Sequence, residues 1–156
     1  KMKNIILLPL LLLILLSCQD GPRAAFNEEF TPIPVKNEIP IEKLIGKYVL
    51  DNDSKKRYNI SDKEAITLNI QKNKKLIANN YVDAKTWKLK NEKVELPYYY
   101  YHSNEIGTNI DCPELNNGGV IGLYYRKKDS AITLYVYTRP LPGQEHGDYL
   151  RYIKVK

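Results

Sequence analysis

The chain has 156 residues, enough for one domain, and a formal net charge of +6. Its 24 lysines and arginines occur singly or in short runs, such as those at 55–57 and 72–75. Nucleic-acid-binding domains concentrate such charge on one face or motif. The composition therefore argues against a nucleic-acid partner.

The first eighteen residues form a basic head, an apolar run and a small residue that precedes a cysteine. The apolar run covers residues 5–16 and is broken only by Pro9, and Ser17 precedes Cys18. Twelve helical residues reach about 18 Å, which is short of the ~30 Å hydrocarbon core of a bilayer. This layout is typical of a cleaved signal sequence rather than of a permanent membrane span.

The segment Leu15-Leu16-Ser17-Cys18 resembles the lipobox of bacterial lipoproteins. The resemblance implies a signal peptide over residues 1–17 and a diacylglyceryl group on Cys18, whose new amine is also acylated, as with palmitate. It implies an outer-membrane lipoprotein of the cell envelope, facing the periplasm or the surface and held to the membrane by this lipid. The alternative is an ordinary signal peptide that is cut elsewhere, with an incidental cysteine.

The next segment, residues 18–40, is rich in proline and has no hydrophobic period. Segments of this composition stay extended and disordered. The sequence therefore predicts a flexible tether over residues 18–40 and a folded domain over residues 41–156.

From residue 41 onward, apolar residues alternate with polar ones between frequent turns, which predicts about eight strands. One hairpin is expected over residues 87–96 with its turn at 91–92, and another over residues 120–137 with its turn at 128–129. In the second, Gly122 lies opposite Tyr135, and the odd positions from 121 to 125 face the core. A third hairpin joins residues 66–70 to residues 76–81 in a register left open. Residues 41–45 predict a single helical turn.

The segment of residues 44–50 resembles the opening of lipocalin-like domains, in which a helical turn leads into a Gly-x-Trp strand. Here Gly46 and Tyr48 occupy those positions. The family places an arginine of the last strand over the aromatic ring, which implies that Arg151 points inward onto Tyr48. The expected fold is therefore an all-β, antiparallel lipocalin-like barrel of about eight strands. A plain β-sandwich is the alternative.

Few residues suggest catalysis or metal binding. The two histidines, His102 and His146, lie in different loop-like stretches, whereas zinc needs three or four converging ligands. No nucleophile elbow, phosphate-binding loop or His-Glu-x-x-His motif occurs. We expect no enzyme, no metal and no cofactor. Cys112 is expected to be buried and unreactive, with a free thiol as the alternative.

The thirteen tyrosines give the better indication of function. In the run of residues 98–101, a strand would turn two tyrosines toward the core and two away from it. Exposed tyrosines form rigid, partly polar contact surfaces. The expected function is a lipid-anchored binding module for a small apolar molecule, a glycan or a protein. The alternative is an inhibitor or immunity lipoprotein that blocks a cell-wall hydrolase or toxin. The candidate binding residues are Tyr99, Tyr101, Tyr124, Tyr135 and Tyr137.

Overall fold

The computed structural model describes residues 28–115 and 120–155. The signal peptide and the lipid on Cys18 lie outside the described residues and stay predictions. The described part holds these elements: β1 Phe30–Pro32, α1 Ile41–Leu44, β2 Gly46–Leu50, α2 Asn52–Arg57, β3 Thr67–Ile70, β4 Lys75–Val82, β5 Leu89–Pro97, β6 Tyr99–Ser103, β7 Gly107–Asp111, β8 Gly122–Arg126, β9 Ala131–Thr138 and β10 Asp148–Lys154.

Eight of these strands form one antiparallel sheet in the order β1-β8-β9-β10-β2-β3-β4-β5, and β6 pairs with β7. A single bridge between Ile110 and Ile121 joins β7 to the residue before β8. Strand β2 pairs with the last strand, β10, with Leu50 opposite Tyr152. The all-β prediction is confirmed. Within the described residues, however, β5 is an edge of the sheet and does not pair with β6, so no closed barrel is found.

The hairpin of β8 and β9 has the predicted register. Gly122 lies opposite Tyr135, and Leu123 lies opposite Leu134. Leu123 and Leu134 are buried in the main core, whereas Tyr124 and Tyr135 belong to a second cluster on the other face of the sheet. Strict alternation on both strands therefore fixed both the register and the faces.

The predicted hairpin over residues 87–96 is wrong. Residues 89–97 form one continuous strand, β5, which pairs with β4 and places Leu96 opposite Leu76 and Val94 opposite Ala78. The pairing is favoured because β4 is an eight-residue strand that offers a buried apolar face. In addition, the pair Asn91-Glu92 lacks the glycine that a two-residue turn usually needs. The open register of the third hairpin is now defined by Ile70 opposite Leu76.

The predicted disordered tether is wrong for residues 28–40, the part of it that the structure describes. Phe30 is only 7% exposed, and β1 pairs with β8 through Phe30 opposite Arg126. Pro32 is tolerated because it ends a short edge strand. Farther along, Ile39 is buried, and its N–H donates a 2.9 Å hydrogen bond to Thr108 Oγ1. The folded domain therefore begins before residue 41.

The main core lies on one face of the eight-stranded sheet, called here the core face. Tyr48, Leu68, Leu134 and Tyr152 are completely buried there. The predicted helical turn, α1, is present, and the Tyr48 hydroxyl donates a 2.6 Å hydrogen bond to the carbonyl of Leu44 at its end. The opposite side of the sheet, called here the outer face, carries the candidate site.

Candidate functional site

Arg151 lies on the outer face, so its predicted contact with Tyr48 is wrong. The guanidinium carbon of Arg151 is 4.7 Å from the centre of the Phe30 ring, whereas Tyr48 belongs to the core on the other face. Its neighbours Leu150 and Tyr152 take the core positions of β10. Both alternating sets of β10 contain large apolar or aromatic residues, so the sequence alone did not decide which set points inward. Arg151 is nevertheless buried, as expected.

Two carboxylates neutralise the buried Arg151 side chain. Its Nε lies 2.6 Å from Asp51 Oδ2, and its Nη2 donates a 2.9 Å hydrogen bond to Asp53 Oδ2. Burial alone would lower the pKa of Arg151, but the nearby charge of Asp51 leads the effects that raise it overall. This arginine is therefore a fixed charge in the structure and not a proton donor.

Asp51 and Arg151 also attach helix α2 to β10. The carboxylate of Asp51 caps the helix by accepting a 2.8 Å hydrogen bond from the N–H of Ser54. The hydroxyl of Ser54 in turn accepts a 3.0 Å hydrogen bond from the N–H of Arg151. No helix was predicted at α2, although Asp51 is a residue type favoured at helix N-caps.

An aromatic cluster surrounds Arg151 on the outer face. The rings of Tyr124 and Tyr135 stack with centres 3.8 Å apart, and Phe30 meets Tyr135 edge-on at 5.9 Å. Tyr135 is completely buried, and this burial raises its pKa to about 12. Its predicted role as a binding surface is therefore wrong, and Tyr135 supports the fold instead.

The other four candidate tyrosines lie in two separate places. Tyr137 is half-buried on the outer face, where its ring meets Tyr149 at 5.5 Å, and Tyr124 is half-buried in the same cluster. Tyr99 and Tyr101 lie on β6 and are 61% and 36% exposed. The structure therefore does not bring the five predicted residues together in one site.

An open groove of about 980 Å³ lies beside the Arg151 cluster and is called here the outer groove. Its apolar lining includes Val49 of β2 and Ile153 of β10, which lie opposite each other. The start of α2 and the turn between β8 and β9 also line it. Strand ends that are distant in sequence form this groove, so alternation along one strand did not reveal it.

Most of the carboxylates that line the outer groove already have cationic partners. Asp51 and Asp53 contact Arg151. The carboxylate of Asp129 accepts a 2.9 Å hydrogen bond from Arg126 Nε, and the hydrogen bond to Arg126 leads the effects that lower its pKa to about 2. The groove thus keeps few free negative charges.

Three lysines at the outer groove have no carboxylate partner among the described residues. Among the described residues, Lys43, Lys128 and Lys154 line the groove and form no ion pair. The Nζ of Lys154 donates a hydrogen bond to the Lys43 carbonyl, and burial lowers the pKa of this amine. The groove therefore combines apolar lining with unpaired positive charge.

Gly46 fixes the position of Lys154. Its φ of +135° strongly favours glycine, and a Cβ at this position would lie 3.0 Å from Lys154 Cε. The missing side chain leaves room for the lysine stem, and Gly46 thereby contributes to the junction of β2 and β10. The predicted closing role of Gly46 thus involves Lys154, and neither Tyr48 nor Arg151.

The surroundings of two other candidate groups, Cys112 and His102, indicate structural roles. Cys112 is a buried free thiol, and its burial raises its pKa to about 11. His102 Nδ1 lies 3.0 Å from the Thr108 hydroxyl. The described residues contain no cluster of three metal-ligating side chains.

Comparisons with known proteins give no further identification. No protein-family model, curated protein or solved structure matches the chain. In residues 28–115 and 120–155, neither helix has the length and apolar character needed to cross a membrane. A functional assignment therefore depends on the outer groove and the exposed side chains.

Proposed function

We propose that this protein is a lipid-anchored binding module of the bacterial cell envelope. Its outer groove holds a small ligand that has an apolar body and an acidic group. The observation that carries the proposal is the mixed lining of the outer groove, in which Val49 and Ile153 supply apolar surface and Lys154 supplies an amine without an ion-pair partner among the described residues. The groove volume lies within the range of about 300–1,000 Å³ usual for small-molecule sites.

The chemistry of Lys154 favours an anion. Partial burial has removed water from its ammonium without supplying a carboxylate from the described residues. An acidic ligand group would replace this lost hydration with a charge-assisted hydrogen bond. The apolar part of the ligand would cover Val49 and Ile153. Both contacts are needed for orientation, because apolar burial by itself is non-directional.

The interior of the domain offers less support for ligand binding than the outer groove. Large side chains fill the core, including the nearly or completely buried Tyr48, Tyr98 and Tyr152. A ligand in their place would have to displace well-packed rings. The small apolar ligand expected from the sequence is therefore assigned to the outer face, with an added acidic group.

A lipocalin-like fold is part of the proposal. It is supported by the helical turn of α1 ahead of Gly46 and by the pairing of β2 with the last strand, β10. The lipid anchor is supported by the lipobox alone. An intact-mass measurement tests the anchor: a mature protein that starts at Cys18 and carries lipid is expected, and any other start contradicts it.

Isothermal titration with decanoate and with uncharged 1-decanol tests the outer groove. Lys154→Met keeps an apolar stem but removes the charge, so decanoate binding should weaken about tenfold, as expected for one charge-assisted hydrogen bond. Binding of 1-decanol should not change. Lys93→Met, which removes an exposed charge from β5, is the matched control and should bind decanoate normally. Absence of saturable decanoate binding, or equal binding by all three proteins, would overturn the proposal.

A further inference from the structure

The hairpin of β6 and β7 turns one face to the core and the other away from it. Ile110 is completely buried, and the hydroxyl of Tyr100 donates a 2.8 Å hydrogen bond to the carbonyl of Ile39. On the opposite side, Tyr99 lies across from Asp111, and Tyr101 lies across from Asn109. Asn109 is itself buried, so the exposed part of this side, called here the hairpin face, consists of Tyr99, Tyr101 and Asp111.

Large side chains are exposed on and beside the hairpin face. Tyr99 is 61% and Tyr101 36% exposed, and Ile106, in the turn between the strands, is 54% exposed. Val35 is also exposed and lies against the start of β7. A Cβ atom added to Gly107 would lie only 3.2 Å from the Cα of Val35. Hot spots of protein interfaces are enriched in tyrosine, and exposed apolar patches mark such interfaces.

The sequence around the hairpin face is acidic although the chain is basic. Residues 94–125 contain no lysine or arginine and four acidic residues, whereas the whole chain has a net charge of +6. Asp111 lies on the hairpin face itself, and Glu105 lies in the turn between the strands. No described cation forms an ion pair with either of them. Electrostatic complementarity therefore favours a positively charged partner.

We propose that the hairpin face docks a basic surface of a partner protein, with Tyr99 and Tyr101 as the central contacts and Asp111 as an attracting charge. A second copy of this chain fits less well, because a symmetric pair would place the two acidic faces against each other. The partner would be separate from the ligand of the outer groove. A blocked enzyme or toxin, the alternative function expected from the sequence, is one kind of partner that fits.

Site-specific photo-crosslinking in the native cells tests the proposal. The chain carries p-benzoylphenylalanine at position 99, and a second version carries it at position 155, where an exposed valine lies at the outer groove. The expected result is a cross-link from position 99 alone to a lysine- and arginine-rich segment of another protein. A cross-link to a second copy, to a glycan or to an acidic segment would overturn the proposal, as would the absence of any product.

Binding of the purified partner then separates the roles of the contacts. Tyr101→Ala should weaken binding about thirtyfold, which is the size of an interface hot spot. Asp111→Lys should slow association and reduce its dependence on salt. Val155→Ala removes a similarly exposed side chain at the outer groove, and neither this variant nor Lys154→Met should alter binding of the partner protein. If Lys154→Met weakened partner binding, or if Tyr101→Ala and Asp111→Lys, with unchanged circular dichroism, did not, the hairpin face would not be the docking surface.

Discussion

Replacing Phe30 with alanine should destabilise the domain by about 3 kcal/mol. Burying a phenylalanine side chain contributes about 2–3 kcal/mol, and Phe30 is only 7% exposed. Its edge-on contact with Tyr135 and its position over the Arg151 guanidinium each add about 1 kcal/mol. Part of this sum is recovered because β1 is a short edge strand that can collapse onto the vacated space.

Equilibrium urea unfolding measures this loss. The midpoint should fall by about 1–2 M with an unchanged slope, because the surface exposed on unfolding stays nearly the same. Thr31→Ala is the matched control, since Thr31 lies in the same strand but is exposed, and it should cost less than about 0.5 kcal/mol. A double-mutant cycle with Arg151→Met should give a coupling of about 1 kcal/mol. If Phe30→Ala lost no more than Thr31→Ala, β1 would not be part of the stable fold.

Two further predictions concern ionisable groups in the core and on the outer face. Because burial raises the pKa of Cys112 to about 11, the native Cys18→Ser protein should react with iodoacetamide at least about a hundredfold more slowly than the same protein in urea; equal rates would contradict this. Burial also raises the pKa of Tyr135 to about 12 and that of Tyr48 and Tyr152 above the ordinary value. Between about pH 10 and 12 the unfolded chain loses protons that the folded chain keeps. The free energy of unfolding should therefore fall as the pH rises through this range, and constant urea midpoints at pH 9, 10 and 11 would refute the assignment.

Sequence reasoning predicted best where both strands of a pair alternate strictly. The β8–β9 hairpin has its expected register because shifting one strand by one residue would turn either Leu123 or Leu134 toward the outer face. The same reasoning failed at residues 87–96, where a local hairpin competed with a longer pairing to β4. Alternation shows which residues share a face but not which face is inward.

The candidate site was less predictable than the fold for the same reason. In β10 either alternating set could form the core, and Arg151 was assigned to the wrong one because its correct aromatic partner, Phe30, lies in a segment interpreted as tether. The outer groove gathers residues from strand ends that are far apart in sequence. Among the described residues, Lys154 has no ion pair because nearby carboxylates pair with arginines instead. The spacing of residues along the sequence does not predict these pairings.

The docking of β1 limits how far the folded domain can stand from its expected anchor. If Cys18 carries lipid, Phe30 lies twelve positions farther along the chain, and a fully extended chain of that length spans about 40 Å. A tether that ended at residue 40 would nearly double that distance. Tension on the lipid would also act first on the three-residue strand β1, so the contact of Phe30 with Arg151 would be the first part of the domain to resist detachment. The same contact that stabilises the outer face would therefore set both the reach of the protein and its mechanical strength.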